Sequence, residues 1–248
     1  MSTQRVAIVT GSSSGIGEGI ARGLAADGFT VVVNSATSVE AGERLAAELP
    51  GASYVQADVA DPADAVRLVD TAVQRHGRLD LLVNNAGVAR PVPHADLEAI
   101  TADDWHRILG VNVVGTWQVS VAAVKVMEPG SQIINITSVG GSRPLGSSIP
   151  YAVSKAALGH LTRLLAKAVG PDVRVNAIAP GPLQTRLTSG SLATRASRTA
   201  AMTPLGRLGQ PSDIAAMILA LTKTPFVTGE VINVDGGINL ITHMDTPT

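Results

Sequence analysis

The sequence predicts an α/β protein built on one doubly wound parallel sheet, with helices on both faces. Three observations carry this. Short β-branched runs alternate with stretches of helical periodicity along the whole chain. The first such run stops at a glycine-rich turn that opens directly into a helical stretch. Apolar residues make up 45% of the 248, yet aromatics only 2%, so the hydrophobic mass is Ala, Val, Ile and Leu, as strands buried on both faces require. No repeat, low-complexity tract or linker composition divides the chain, so residues 1–248 are read as a single domain.

Composition also narrows the function. A net charge of −1 gives no electrostatic case for nucleic acid or an anionic membrane as partner. With no cysteine there is no disulfide framework and no thiolate metal site, and no metal is expected. The stretch MSTQRVAIVTGSSSG enters a strand almost at once and leaves no room for a signal peptide. No apolar run is read as long enough to span a membrane. The expectation is a soluble, cytoplasmic protein.

In chain order, Arg5 to Thr10 reads as a buried strand ending at Gly11-Ser12-Ser13-Ser14-Gly15-Ile16-Gly17. Glycines between a strand and a helix let the backbone approach a ligand, and the helix start offers unpaired N–H groups and a positive dipole end to a pyrophosphate. The helix runs to about Asp27; Gly19 and Gly23 inside it predict close packing against the sheet. A second strand, Thr30 to Val33, ends at Asn34-Ser35-Ala36-Thr37-Ser38. At that place a dinucleotide fold meets the adenosine ribose, and a carboxylate would repel a 2′-phosphate. Asn34 stands there instead, which argues for NADP(H), although no Lys or Arg lies between Val31 and Glu43 and NAD(H) stays possible. Ser38 alternatively caps the next helix.

Ala52 to Ala57 reads as a third strand. Asp58 then either reaches the adenine or bonds local backbone. Asp61-Pro62 opens a helix that closes at His76-Gly77, where the histidine suits the helix dipole. Leu79 to Asn84 is a fourth strand, followed by Asn85-Ala86-Gly87, a turn able to tie loops together while leaving space for a ligand. One long helix is expected over about Ala102 to Met127, with Trp105 and Trp117 as packing residues. Asn112 in its apolar run stabilises a kink or positions water. Ser131 to Thr137 is a fifth strand; Ser138 at its carboxyl end either faces a substrate or simply ends the strand. Pro150 begins a helix carrying Tyr151 and Lys155 one turn apart, a spacing at which an ammonium can lower a phenol's pKa toward useful acid–base chemistry. Val173 to Ile178 is a sixth strand, closing with Ala179-Pro180-Gly181-Pro182. Leu183 to Pro204 reads as a flap, Gln210-Pro211-Ser212 starts a last helix, and Glu230 to Val234 is a seventh strand.

Over essentially its full length the sequence resembles the short-chain dehydrogenase/reductase family. The resemblance rests on Thr10-Gly11-xxx-Gly15-Ile16-Gly17, Asn84-Asn85-Ala86-Gly87, Asn112, Ser138, Tyr151-xxx-Lys155 and Pro180-Gly181, in matching order and spacing. It implies a Rossmann-type seven-stranded sheet in the order 3-2-1-4-5-6-7 and a homotetramer or homodimer. It implies Tyr151 as acid/base, Lys155 lowering its pKa and holding the nicotinamide ribose, Ser138 polarising a carbonyl, and Asn112 holding a relay water. The cofactor would lie along Gly11, Ser13, Ser14, Gly15, Ile16 and Gly17, then Asn34 to Thr37. Beyond these it would meet Asp58, Val59, Asn85, Ala86, Gly87, Pro180, Gly181, Leu183 and Thr185. Ser35-Ala36-Thr37-Ser38 looks like NADPH-dependent 3-oxoacyl-carrier-protein reductases. The implied activity is interconversion of a small-molecule carbonyl and a secondary alcohol. A catalytically silent cofactor-binding scaffold is the alternative, as is an epimerase or dehydratase, though those relatives usually carry a larger substrate lobe.

Overall fold

The computed structural model describes residues 4–184 and 199–241. Its elements follow the expected alternation: β1 Val6–Val9, α1 Gly15–Ala26, β2 Thr30–Ser35, α2 Val39–Glu48, β3 Ser53–Gln56, α3 Pro62–His76 and β4 Leu81–Asn84. Then come α4 Ala102–Leu109, a π-helical segment Gly110–Gly115, α5 Thr116–Val124, β5 Ser131–Ile136 and α6 Ile149–Val169. The chain continues through β6 Val173–Pro180, α7 Pro211–Thr222 and β7 Val231–Val234. The strands form one sheet in the order β3-β2-β1-β4-β5-β6-β7, and every pairing is parallel.

Alternation along the strands sends neighbours to opposite faces. Ile8, Leu82, Ile133 and Val175 pack with Leu68, Val69, Val119 and Leu165 of α3, α5 and α6. Val9, Val83, Ile134 and Ile178 pack with Ile20, Leu24, Ile214 and Ile218 of α1 and α7. Strand order reverses between β1 and β4, so the loops above their carboxyl ends diverge and open a crevice.

Helix α3 is bounded as its sequence predicts. The Asp61 side chain accepts from the Ala63 and Asp64 amides, Pro62 sits in the first turn, and Gly77 takes the left-handed conformation at φ 80°. His76 has a different role from the one expected. Its Nε2 lies 2.9 Å from the Ser53 hydroxyl, and burial, with Arg75 nearby, lowers its pKa, so it binds β3 rather than answering the dipole as a cation. Gly19 and Gly23 also differ: a Cβ at Gly19 would collide with Pro211, and one at Gly23 would lie 2.6 Å from Ala215 Cβ. Both glycines let α1 meet α7, not the sheet. Ser38 occupies the position before α2 but makes no side-chain capping bond.

The long helix expected over 102–127 is interrupted and ends at Val124. Its π turn carries the fully buried Asn112, and a Cβ on Gly115 would come within 2.9 Å of Val59 Cγ2. Trp117 is 48% exposed, so the packing expected of it is only partly met within this chain. The helical run Ala102–Val124 is in fact long and apolar enough to cross a membrane, contrary to the sequence expectation. Here Val119, Ala122 and Ala123 are buried against α3 as part of the core.

Candidate active site and dinucleotide crevice

The glycine-rich turn is held from two sides. Gly11 and Gly15 both adopt φ 61°, which L side chains rarely take, and a Cβ at Gly15 would meet nothing within 4 Å, so the turn opens outward there. Ser14 is exposed, and Ser13 and Ile16 are half-buried. Ser12 is completely buried; its hydroxyl donates to Val9 O at 2.7 Å and accepts from the Asn34 amide at 3.0 Å. On the β4 side, Thr10 Oγ1 accepts from the amides of Asn85 and Ala86, both at 3.0 Å. The Asn85 side chain donates to Thr10 O at 2.9 Å and Gly11 O at 3.0 Å. Asn85 thus ties the two loops together, as its sequence predicts. A Cβ on Gly17 would strike Gly11 O and lie 2.5 Å from Asn85 Nδ2, so α1 can start only this close to the turn with glycine there.

Strand β2 runs two residues further than expected and buries Asn34 and Ser35. Asn34 Oδ1 accepts from the Gly11 amide at 3.2 Å, and Nδ2 donates to Val55 O at 3.1 Å and Ala57 O at 3.0 Å. Its side chain therefore splices β1, β2 and β3 beneath the crevice. The Ser35 hydroxyl is within 2.9 Å of Tyr54 Oη. Ala36, Thr37 and Ser38 are exposed at the tip. Asp58 bonds locally, its Oδ1 accepting from the Ala60 amide at 2.9 Å. Asn34 to Ser38, Asp58, Val59, Ala86 and Gly87 line a cavity of about 690 Å³ at the carboxyl ends of β1 to β4.

A second cavity, of about 360 Å³, meets the first at Gly87 and Val88. Ile16, Asn85, Ser138, Tyr151, Lys155, Pro180, Gly181 and Leu183 line it. Ser138 takes an extended conformation just past β5, where its hydroxyl accepts from the Gly140 amide at 3.1 Å. Tyr151 and Lys155 project from the same face of α6. Lys155 Nζ donates to Ile136 O at 2.9 Å and sits 5.7 Å from the Tyr151 ring centroid. Burial is the dominant influence on both. It raises the Tyr151 pKa, the Ser138 hydroxyl acting against it, and it lowers Lys155 to about 8. The lowering of the phenol by lysine expected from the spacing is absent here: burial sets the direction, and only the Ser138 hydroxyl opposes it.

Asn112 crosses from the π turn to the site. Its Nδ2 donates to Val88 O at 3.0 Å and Ser154 Oγ at 2.9 Å, and Oδ1 accepts from the Val88 amide at 2.8 Å. Ser154 Oγ donates in turn to Tyr151 O at 2.7 Å. Sequence reading missed Ser154 and Ser12; the signal was a small polar residue in each motif where an apolar one would pack. Beyond β6, the Gly181 amide donates to Val234 O at 3.0 Å, and a Cβ there would lie 2.6 Å from Asp235 Cα. Thr185 and most of the expected flap 183–205 lie outside the described residues. A larger cavity, about 750 Å³, sits at the amino ends of the central strands, where Arg5 pairs with Asp27 and Arg78 with Asp80, and none of the site residues is present.

Residues 11–239 match the family described as enoyl-(acyl carrier protein) reductase. The chain belongs to the short-chain dehydrogenase/reductase family. Such a chain is an oxidoreductase. It is 55% identical over 240 residues to the granaticin polyketide synthase putative ketoacyl reductase 2 of Streptomyces violaceoruber, covering 95% of this chain and 96% of that one. A putative short-chain dehydrogenase/reductase from Burkholderia xenovorans superposes with a TM-score of 0.89 at 33% identity, over 97% of this chain and 100% of the other. A short-chain dehydrogenase from Burkholderia cenocepacia, solved in complex with NADP, gives 0.87 at 33% identity over 96% and 99%.

Proposed function

We propose that this protein is an NADP(H)-dependent reductase that interconverts a carbonyl and a secondary alcohol, with a 3-oxoacyl group as the substrate class. One observation carries the reading: Ser138, Tyr151 and Lys155 converge in a cavity that continues past Gly87 to the turn after β2. The crevice fits a dinucleotide. At Gly87 a Cβ would stand 3.3 Å from Asn112 Oδ1 and 3.5 Å from Lys155 Nζ, so glycine keeps the passage between the two cavities open. The Gly11–Gly17 turn and the start of α1 would hold the pyrophosphate, Ser35 to Thr37 with Asp58, Val59 and Asn85 to Gly87 the adenosine side, and Pro180, Gly181, Leu183 and Thr185 the remainder, while the Asn34 side chain supports the turn from below. When bound, NADPH supplies the hydride.

The residues of the chain do the rest. The Ser138 and Tyr151 hydroxyls hydrogen-bond a substrate oxygen as negative charge builds on it, and Tyr151 Oη gives up its proton. A raised phenol pKa keeps that proton in place until the oxygen demands it. Lys155 holds the ribose hydroxyls and brings positive charge toward the phenol. The Asn112 side-chain donors are committed to Val88 and Ser154, so a relay water is held by its remaining acceptors. The scaffold alternative has no use for all three catalytic groups together.

The name of the Streptomyces relative supports the substrate class, and the NADP complex of the Burkholderia cenocepacia relative supports the cofactor. Exposed Val114, Trp117, Val153 and Leu164 on α5, α6 and the π segment support a homotetramer or homodimer. A cytoplasmic location accords with a chain free of cysteine. The test is fluorescence titration with NADPH and, separately, NADH, followed by assay with a 3-oxoacyl thioester. Tighter NADPH binding and loss of NADPH absorbance on adding the thioester are expected. NADH preference sinks the cofactor assignment, and binding of neither dinucleotide favours the scaffold.

A further inference from the structure

Recognition of a 2′-phosphate needs a cation near the end of β2, and the local sequence offers none. No Lys or Arg lies between Val31 and Glu43 or within Gly11 to Gly17. The cavity beside the β2–α2 turn, however, has a wall from further along the chain. His106 and Arg107 of α4 line it together with Ala36, Thr37 and Ser38. Arg107 is the one permanently cationic side chain among the lining residues, and Asp58 the one carboxylate.

Arg107 has no other evident task. It is exposed, and its side chain makes no hydrogen bond or ion pair with another described residue. Nearby arginines are committed, Arg90 to Asp104 and Arg67 to Asp64. An arginine in the last turn of a helix ordinarily answers the negative end of the helix dipole. Helix α4 has no such end: Gly110 keeps right-handed helical angles, φ −55° and ψ −49°, and the backbone runs on through the π turn into α5. Across the cavity, the Ser38 hydroxyl is left uncommitted because it makes no capping bond to α2.

Building on the NADP(H) reading above, we propose that Arg107 supplies the missing clamp, its guanidinium binding the cofactor's 2′-phosphate against the hydroxyls of Thr37 and Ser38. The cation thus comes from α4 instead of the β2–α2 turn, which is why the sequence around β2 looks undecided. Guanidinium and phosphate form charge-assisted bonds in a geometry suited to discrimination between phosphate and hydroxyl.

The test titrates the full chain, Arg107→Ala and Arg107→Lys with NADPH and with NADH, and checks each variant's melting temperature. Arg107→Ala is expected to weaken NADPH binding about 10-fold while leaving NADH within about twofold. Arg107→Lys, which keeps the charge but not the fork, should recover only part of the NADPH affinity, and the NADPH preference of the wild type should shrink with added salt. Equal losses for both dinucleotides would overturn the proposal, since they mean that Arg107 packs on the adenine; so would undiminished NADPH binding by Arg107→Ala. A wild type that prefers NADH refutes the NADP(H) reading itself and removes any need for a phosphate clamp.

Discussion

Replacing Asn34 with Ala tests whether this residue serves the scaffold or the ligand. Its side chain makes three bonds, two of them buried, to Val55 O and Ala57 O, and one part-buried, to the Gly11 amide. Alanine leaves all three backbone groups without that partner. At about 1 kcal/mol for each lost bond, the variant should be destabilised by about 3 kcal/mol. For a domain of this size each kcal/mol moves the melting temperature by roughly 2–4 °C, so a fall of about 6–12 °C is expected. Thermal melts followed by circular dichroism read this directly. NADPH affinity should fall as well, because the Gly11 amide is no longer held. An unchanged melting temperature with affinity alone reduced would refute the reasoning and assign the Asn34 side chain to the ribose.

Tyr151→Phe should keep the fold and dinucleotide affinity while kcat drops at least about 100-fold; substantial residual turnover would assign the proton to another group. Lys155, at about 8 in the folded chain against 10.5 in the unfolded one, binds fewer protons when folded between those values. Stability should therefore rise from about pH 8 to about pH 10.5, and a cost of about 3 kcal/mol is fully present below pH 8. Urea titrations of wild type and Lys155→Met across that range should show the stability difference moving toward the wild type, and a flat difference would contradict the burial of the ammonium. Gly42→Ala drives a Cβ into the Tyr54 ring, which should cost about 1–3 kcal/mol in a denaturant melt. A neutral result would mean that α2 moves freely off β3.

Much of this was legible because short β-branched runs alternate with helical stretches, and β1, β2, β4 and β6 close at or beside a glycine, asparagine or proline. The Tyr151 and Lys155 pairing follows from helical geometry alone. What stayed hidden depended on contacts between distant segments. At the π turn around Asn112, Gly115 runs so close to Val59 that a Cβ would come within 2.9 Å of its Cγ2, an approach no local pattern records. Asn34 looked like a ribose ligand because its position on β2 is visible, whereas its three backbone partners come from the turn after β1, from β3 and from the residue just past β3. The sign of the Tyr151 shift was likewise hidden, since one turn of separation fixes proximity to lysine but says nothing of how much water burial removes.

The order of the strands bears on how the protein can be made. β1 pairs on one side with β2 and on the other with β4, which arrives only at Leu81. Until then a nascent chain has an open edge at the strand that carries the glycine turn, and Thr10 has neither Asn85 nor Ala86 to hold. The adenosine half needs β4 and then α4, whose His106 and Arg107 wall its cavity, whereas the hydroxyl and ammonium groups come with β5 and α6 from the second half of the chain. Split fragments divided between β4 and β5 should therefore each lack turnover and regain it on association, and non-local pairing of this kind makes folding slow compared with a helical bundle.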